Sequence, residues 1–399
     1  MLALDRIYHA AYVLKGVARK TDLIAAPHLV SGMEDLYLKT ENLQVTGSFK
    51  LRGASYKISQ LPKGDLERGI IACSAGNHAQ GVALAATHMG VRSIVCMPDG
   101  APIMKVESTR RLGAEVRLVK GSYDDAHDEA VRLQEKTGAT LIHPYDDEDV
   151  ICGQGTIGLE IMDQLEGVDA VVVPVGGGGL ISGVACAVKS LKPSCQVFGV
   201  QAAGASAMAE SFHRGDWYAS DTASTFADGI AVKNPGEITF QMVRKYVDDI
   251  VTVSDDEIAA AILNLMERQK VVAEGAGAVP VAAAMFDKLP LAGKRVVCVV
   301  SGGNIDVNIL SRVINRGLAM SGRKVTMEIR LTDKPGQLQQ VSTIIAELGA
   351  NVVSVDYDLS DPDLPISSCT LRVGMETRDQ AQIDQIRAKL VGEGFALVG

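Results

Sequence analysis

The chain has 399 residues, 47% hydrophobic but only 4% aromatic, with 40 glycines, which is enough for two or three domains around a large aliphatic core. A net charge of −9 without a basic stripe excludes nucleic acid as a partner. Seven scattered cysteines with no CxxC pair exclude a metal finger or a disulfide framework and suit reduced core thiols of a cytoplasmic protein.

The opening stretch, MLALDRIYHAAYVLKG, is broken by charges and reads as neither a secretory signal nor a membrane span, so no membrane partner is expected. Its periodicity predicts an amphipathic helix from Leu4 to about Gly16. Leu36–Lys39 reads as a short strand that leads into ENLQVTGSFKLRGA, with Lys50 at its centre. A helix then runs to about Ser59 and stops at LPKGD. From Gly69 strands and helices alternate: Ile70–Cys73, SAGNH and an alanine-rich helix, Val91–Met97, a helix near Ile103–Leu112, Glu115–Val119, a helix to Lys136, and Thr140–Ile142. This is the spacing of βαβ units in a parallel sheet.

A second βαβ block starts near Gly153 and carries the β-branched run Asp169–Pro174, then GGGGL and a helix to about Leu191. Strand Gln196–Val200 follows, then a loop-rich stretch over 202–237 with one short helix, and strand Val251–Val253. Ser254 and Glu257 form a capping box for the next helix. AEGAGAVP opens another helix, and strand Arg295–Val300 ends in SGGN. GLAMSGRK reads as a linker. Residues 324–399 then give strand, helix, strand, strand, helix, strand, the βαββαβ order of a ferredoxin-like unit.

Five features carry chemistry. Lys50 becomes a nucleophile or base only where burial strips its proton. Gly176–Leu180 follows a buried strand and opens a helix, so backbone N–H groups and the helix dipole converge on an anion, most simply a phosphate. The run lacks the Lys-Ser/Thr of a Walker loop and the GxGxxG of a dinucleotide fold. SAGNH and SGGN make the same kind of strand-to-helix turn, and each equally suits a simple helix start. Glu274 lies among small apolar residues, where a carboxyl is either shifted in pKa or paired. All of these sit where open α/β sheets bind ligands, beyond the carboxyl ends of parallel strands.

ENLQVTGSFKLRGA, SAGNH, GGGGL, FADGIAV, AEGAGA and SGGN, in this order, resemble the serine/threonine dehydratase family of pyridoxal-phosphate (PLP) enzymes, of the tryptophan-synthase-β fold type, across residues 1–320. The resemblance implies an α/β fold of two open parallel-sheet lobes, a large one of about 1–50 and 146–320 and a small one of about 51–145. It makes Lys50 the Schiff-base lysine and base, with Phe49 beside the cofactor ring and Asn77 on its 3′ oxygen. Gly176, Gly177, Gly178, Gly179 and Leu180 would hold the phosphate, Gly229 would lie near the ring, and Ser301 would meet the ring nitrogen. The loop with Ser74, Asn77 and His78 would take the substrate carboxylate. Serine racemases of this family carry a serine where Ala75 stands, which favours dehydration here. Two racemase metal carboxylates fall on Gln201 and Ala207, so no divalent metal site is expected.

Residues 324–399 resemble an ACT domain, a module that binds amino-acid effectors between copies. The resemblance implies an effector site at Asp333, Gly336, Leu338 and Asn351, and a homodimer or homotetramer. The implied activity is threonine ammonia-lyase, L-threonine to 2-oxobutanoate and ammonia with L-serine to pyruvate beside it, regulated for isoleucine biosynthesis. A serine or hydroxyaspartate dehydratase, or a catabolic threonine dehydratase, fits the same motifs.

Overall fold

The computed structural model describes residues 3–359 and 365–398. The chain divides into two compact units, Met1–Asp306 and Val307–Gly399. The first holds two sheets. Strands β1 (Leu23–Ala25) and β2 (Leu36–Lys39) belong to the larger, and β3 (Ile70–Cys73), β4 (Ser93–Pro98), β5 (Glu115–Val119) and β6 (Thr140–Leu141) form the smaller. The larger continues with β7 (Ala170–Pro174), β8 (Gln196–Ala202), β9 (Asp249–Val253) and β10 (Val296–Val299).

The strand orders are β1-β2-β10-β7-β8-β9 and β5-β4-β3-β6. Both sheets are parallel except where the edge strand β1 runs against β2. Strands β3, β7 and β10 are buried along their whole length, as runs such as AVVVP and IIAC require when helices cover both faces. Because β10 lies beside β7, the turns that leave them, at Ser301 and Gly176, are neighbours.

The helix Lys50–Ser59 is pinned by a buried charge cluster. Arg52, 1% exposed, donates to both oxygens of fully buried Glu41 (2.9 and 2.8 Å), to Glu160 (2.6 and 3.0 Å) and to the Thr156 hydroxyl (3.1 Å). Lys39 completes the set with Glu160 at 2.6 Å and the Thr21 carbonyl at 2.7 Å. Two cations thus face two carboxylates. Burial alone would raise the Glu41 carboxyl, yet Arg52 beside it holds it below its ordinary value.

The second unit contains the helix Val307–Met320, then β11 (Lys324–Thr332), a helix Gln337–Glu347, β12 (Asn351–Asp358), β13 (Ser368–Glu376), a helix Gln380–Gly392 and β14 (Ala396–Val398). Its antiparallel sheet has the order β12-β13-β11-β14, with a core of Ile329, Leu371, Val373, Ile345 and Ile386.

Local readings fell short in two places. The GLAM of the expected linker is the last turn of the helix Val307–Met320, and the chain turns only at Gly322. LPKGD does not merely end a helix, since Pro62 is the N-cap of the next one, Lys63–Arg68. Proline suits that place because a helix start needs no N–H from it. The stretch over 202–237 is, as expected, loop-rich with one short helix, Ala207–Arg214, and it also has two single 3-10 turns. The capping box at Ser254 and Glu257 is formed, and all seven cysteines are free and buried. No described helix is long and apolar enough to cross a membrane.

Removing one partner of a buried ion pair strands the other charge. Glu41→Ala is expected to lower unfolding stability by about 3–5 kcal/mol, as read from urea melts.

Candidate active site

A closed circuit of contacts joins the turns at the strand ends. Phe49 donates its backbone N–H to the Ser301 carbonyl (3.1 Å), and Ser48 bridges Gly302. The space beside Gly302 is filled by Glu274 and Asn77, because a Cβ there would lie 2.4 Å from Glu274 Oε1 and 3.2 Å from Asn77 Nδ2. Glu274 in turn abuts Gly229, whose missing Cβ would stand 3.4 Å from the same oxygen. Gly176 packs on Ile230 and the Gly229 carbonyl. Tyr145 lies against Gly177 and Gly179, and the Pro144 carbonyl before it accepts the Lys50 amine at 2.7 Å, which closes the circuit.

Glycine is required in the 176–179 run for two reasons. A Cβ on Gly177 would overlap the Tyr145 ring at 2.4 Å, and Gly178 has φ +98° as the N-cap of the helix Gly179–Leu191. None of the N–H groups from Gly176 to Leu180 donates to another group among the described residues. Five free donors at the start of a helix make an anion cradle. The Gln201 side chain ties this loop to the following helix, accepting from the Ala209 N–H at 2.7 Å.

The interior is dry enough to move protons. Burial brings the Lys50 amine down to about 8, with Glu274 nearby opposing the shift. Burial, and then Asp228, pushes the Glu274 carboxyl up to about 7. Asp228 itself pairs with Lys105 from the helix Ile103–Arg111. The Phe49 ring lies 5.3 Å from the Lys50 amine. His78 is buried, donates Nε2–H to the Ile142 carbonyl (2.9 Å) and is brought down to about 3 by burial and by Lys50. It is therefore neutral, and what it can offer an anion is its backbone N–H. Ser74 Oγ accepts the Gly76 N–H at 3.1 Å, which shapes the turn before the helix Asn77–His88.

Lys50, Phe49, Asn77, Gly176–Gly179, Gly229 and Ser301 are thus brought together around one space. The Ser301 hydroxyl, in a residue only 2% exposed, has no hydrogen-bond partner among the described residues. Sequence reasoning missed Pro144, Tyr145 and Asn304. Tyr145 had one legible signal: a run of four glycines demands something bulky against it. Nothing local marks Pro144, and Asn304, although it closes the SGGN turn, shows no local sign of its role; both roles arise from packing over long sequence separations.

The four effector residues are not gathered within one copy of the second unit. Both β11 and β12 run antiparallel to β13, so they run parallel to each other. Asp333, Gly336 and Leu338 follow the end of β11, whereas Asn351 starts β12 at the opposite end of the sheet, where its amide meets Glu376 at 3.1 Å. The intervening helix carries the chain back, which separates them by on the order of 25 Å along the strands.

A lysine amine, an anion cradle and an unpartnered hydroxyl around one dry space at parallel strand ends define an enzyme site for a phosphorylated cofactor. The chain belongs to the pyridoxal-phosphate dependent enzyme family, whose model matches residues 14–302. It is 51% identical over 397 residues to the L-threonine ammonia-lyase of Thermotoga maritima, covering 99% of this chain and 98% of that protein. Among solved structures it is similar to the processed form of threonine deaminase isoform 2 from Solanum lycopersicum, with 39% identity and a TM-score of 0.73 over 78% of this chain and 93% of that one. It is also similar to maize serine racemase, with 34% identity and a TM-score of 0.74 over 80% of this chain and 98% of that one.

The residues present fit the family's cofactor: five unspent N–H donors suit its phosphate, and the depressed Lys50 amine suits its aldehyde. Glu274 supplies a pH test on the apoprotein. Its folded pKa lies above its ordinary 4.5, so its contribution to stability is complete below 4.5 and is lost as pH rises through about 7. Across that interval the Glu274→Gln variant should gain roughly 3 kcal/mol on the wild type, measured by urea unfolding at a series of pH values.

Proposed function

We propose that the chain is a threonine ammonia-lyase that converts L-threonine to 2-oxobutanoate and ammonia, with L-serine to pyruvate as a side reaction. The full-length likeness to an L-threonine ammonia-lyase, running through both units, carries this reading.

Pyridoxal phosphate, when bound, supplies an electron-withdrawing ring that acidifies the substrate Cα–H. The chain's own residues do the rest. The N–H groups of Gly176–Leu180 would hold the phosphate, and Phe49 and Gly229 would border the ring. The neutral Ser301 hydroxyl would face the ring nitrogen, and a neutral partner there would keep electron withdrawal modest, which suits β-elimination. The turn from Ser74 to His78 receives the substrate carboxylate through its N–H groups. The Lys50 amine, at about 8, is neutral in roughly one molecule in ten at pH 7, far more often than a solvent-exposed lysine, and in that form takes the Cα proton as base. Loss of the β-hydroxyl as water and its later return on hydrolysis balance the reaction. Ala75 offers only a methyl group, so no side chain at that position returns a proton to the other face, and elimination prevails over racemisation. Lys50→Ala is expected to lower threonine turnover by about a thousandfold or more in a 2-oxobutanoate assay. Turnover near the wild-type rate would remove Lys50 from this role.

The second unit is read as an ACT domain that senses an amino acid. Its edge strand β12 leaves Val353, Val355 and Tyr357 exposed, a surface that suits pairing with a second copy. Antiparallel pairing of two β12 strands would set Asn351 of one copy at the end of the sheet that bears the partner's 333–338 loop. That supports an effector site shared by two chains in a homodimer or homotetramer, with isoleucine as the expected inhibitor. Initial rates with isoleucine, valine or serine added should shift severalfold for at least one of them; identical rates throughout would remove the regulatory reading.

A further inference from the structure

The polarity of one hydrogen-bond chain can be read from a group that cannot flip. The Thr46 carbonyl only accepts, so the Asn304 side-chain nitrogen must face it, at 2.8 Å. The second N–H of the same nitrogen goes to Asn77 Oδ1 at 2.7 Å. Asn77 is therefore oriented oxygen toward Asn304 and nitrogen away, and that nitrogen donates to Glu274 Oε1 at 2.6 Å. Among the described residues, one N–H of the Asn77 amide remains unspent. The chain is packed in place: Gly47 has φ +73°, and a Cβ on it would lie 2.4 Å from Asn304 Oδ1. Glu274 is 4% exposed and faces Asn77 from the helix Asn77–His88, Asp228 from a 3-10 turn, and Lys105 and Lys50 from two further helices.

We propose that Asn304 and Glu274 are positioning residues that together lock the Asn77 amide as a hydrogen-bond donor to the 3′ oxygen of the cofactor. This rests on the reading of Asn77 as the partner of that oxygen. Neither residue touches the reacting atoms. Asn304 sets which end of the amide faces inward, and Glu274 holds the nitrogen at its proper angle. A donor at that oxygen stabilises its anionic form, so the pair tunes the electronic state of the ring as well as its affinity.

The test titrates the apoenzyme forms of the variants with pyridoxal phosphate and follows the visible absorbance of each holoenzyme against pH, with melting curves as the control for folding. Asn304→Asp keeps the shape but replaces a donor by an acceptor facing Asn77 Oδ1. It should weaken cofactor binding about tenfold, the worth of one charge-assisted hydrogen bond, and shift the pH course of the absorbance. Glu274→Leu should do the same, while Glu274→Gln, which keeps an acceptor for Asn77, should restore binding to within about twofold of wild type. Should Asn304→Asp fail to fold, the contrast between the leucine and glutamine variants at 274 decides the matter alone. Asn77→Ala separates the two levels of the argument. If it perturbs binding and absorbance while Asn304→Asp and Glu274→Leu leave both unchanged, the positioning role is overturned and the reading of Asn77 survives. If Asn77→Ala itself changes neither, the reading of Asn77 is overturned and the proposal falls with it.

Discussion

An arginine buried two residues beyond the reactive lysine sets the geometry of the whole first unit. Arg52 gathers Glu41 from the segment before the lysine, Glu160 and Thr156 from the helix Glu148–Gln164, and the Arg19 carbonyl from the N-terminal segment. Three segments are thereby tied to the first turn of the Lys50 helix. The desolvation cost of so many charges is offset only because every one of them is paired and hydrogen-bonded. The result is a rigid base from which Lys50 reaches the Pro144 carbonyl at the head of that same Glu148–Gln164 segment.

Around that base the site uses burial in two opposite senses. One dry space lowers an amine to about 8 and raises a carboxyl to about 7, so both groups can exchange protons near neutral pH. Each partly offsets the other's shift, and neither would be displaced so far in water. The glycine turns allow this crowding, since side chains at 177, 229 or 302 would occupy the space that Tyr145 and Glu274 fill. The anion cradle stands apart from this proton chemistry. It uses uncharged N–H groups and a helix dipole, and so binds a phosphate without placing a cation near the lysine.

Much of this was legible in residue pattern. Apolar runs of four or five residues followed by glycine turns marked the parallel strands and their active ends, and the alternation of elements marked two blocks and a βαββαβ tail. Glu274 stood out as a carboxyl among alanines and glycines, and it is indeed buried and shifted. The readings that failed were local ones. GLAM looked like a linker because small residues loosen a pattern, yet it finishes a helix. Asn351 and the 333–338 loop lie at opposite ends of one sheet within a single copy, a separation that the intervening helix sets and that no local pattern shows.

By itself the sequence determined the periodicities, the turn chemistry and the set of reactive side chains, because these depend on residues within a few positions of each other. Only the tertiary structure decided which of those side chains meet. Asn304 and Asn77 are 227 positions apart, and Asn77 and Glu274 are 197 apart. No local rule joins such residues, because their approach is set by the packing of one parallel sheet beside another. The same packing removes the water, and with it decides the protonation of Lys50 and Glu274, which no residue type carries on its own.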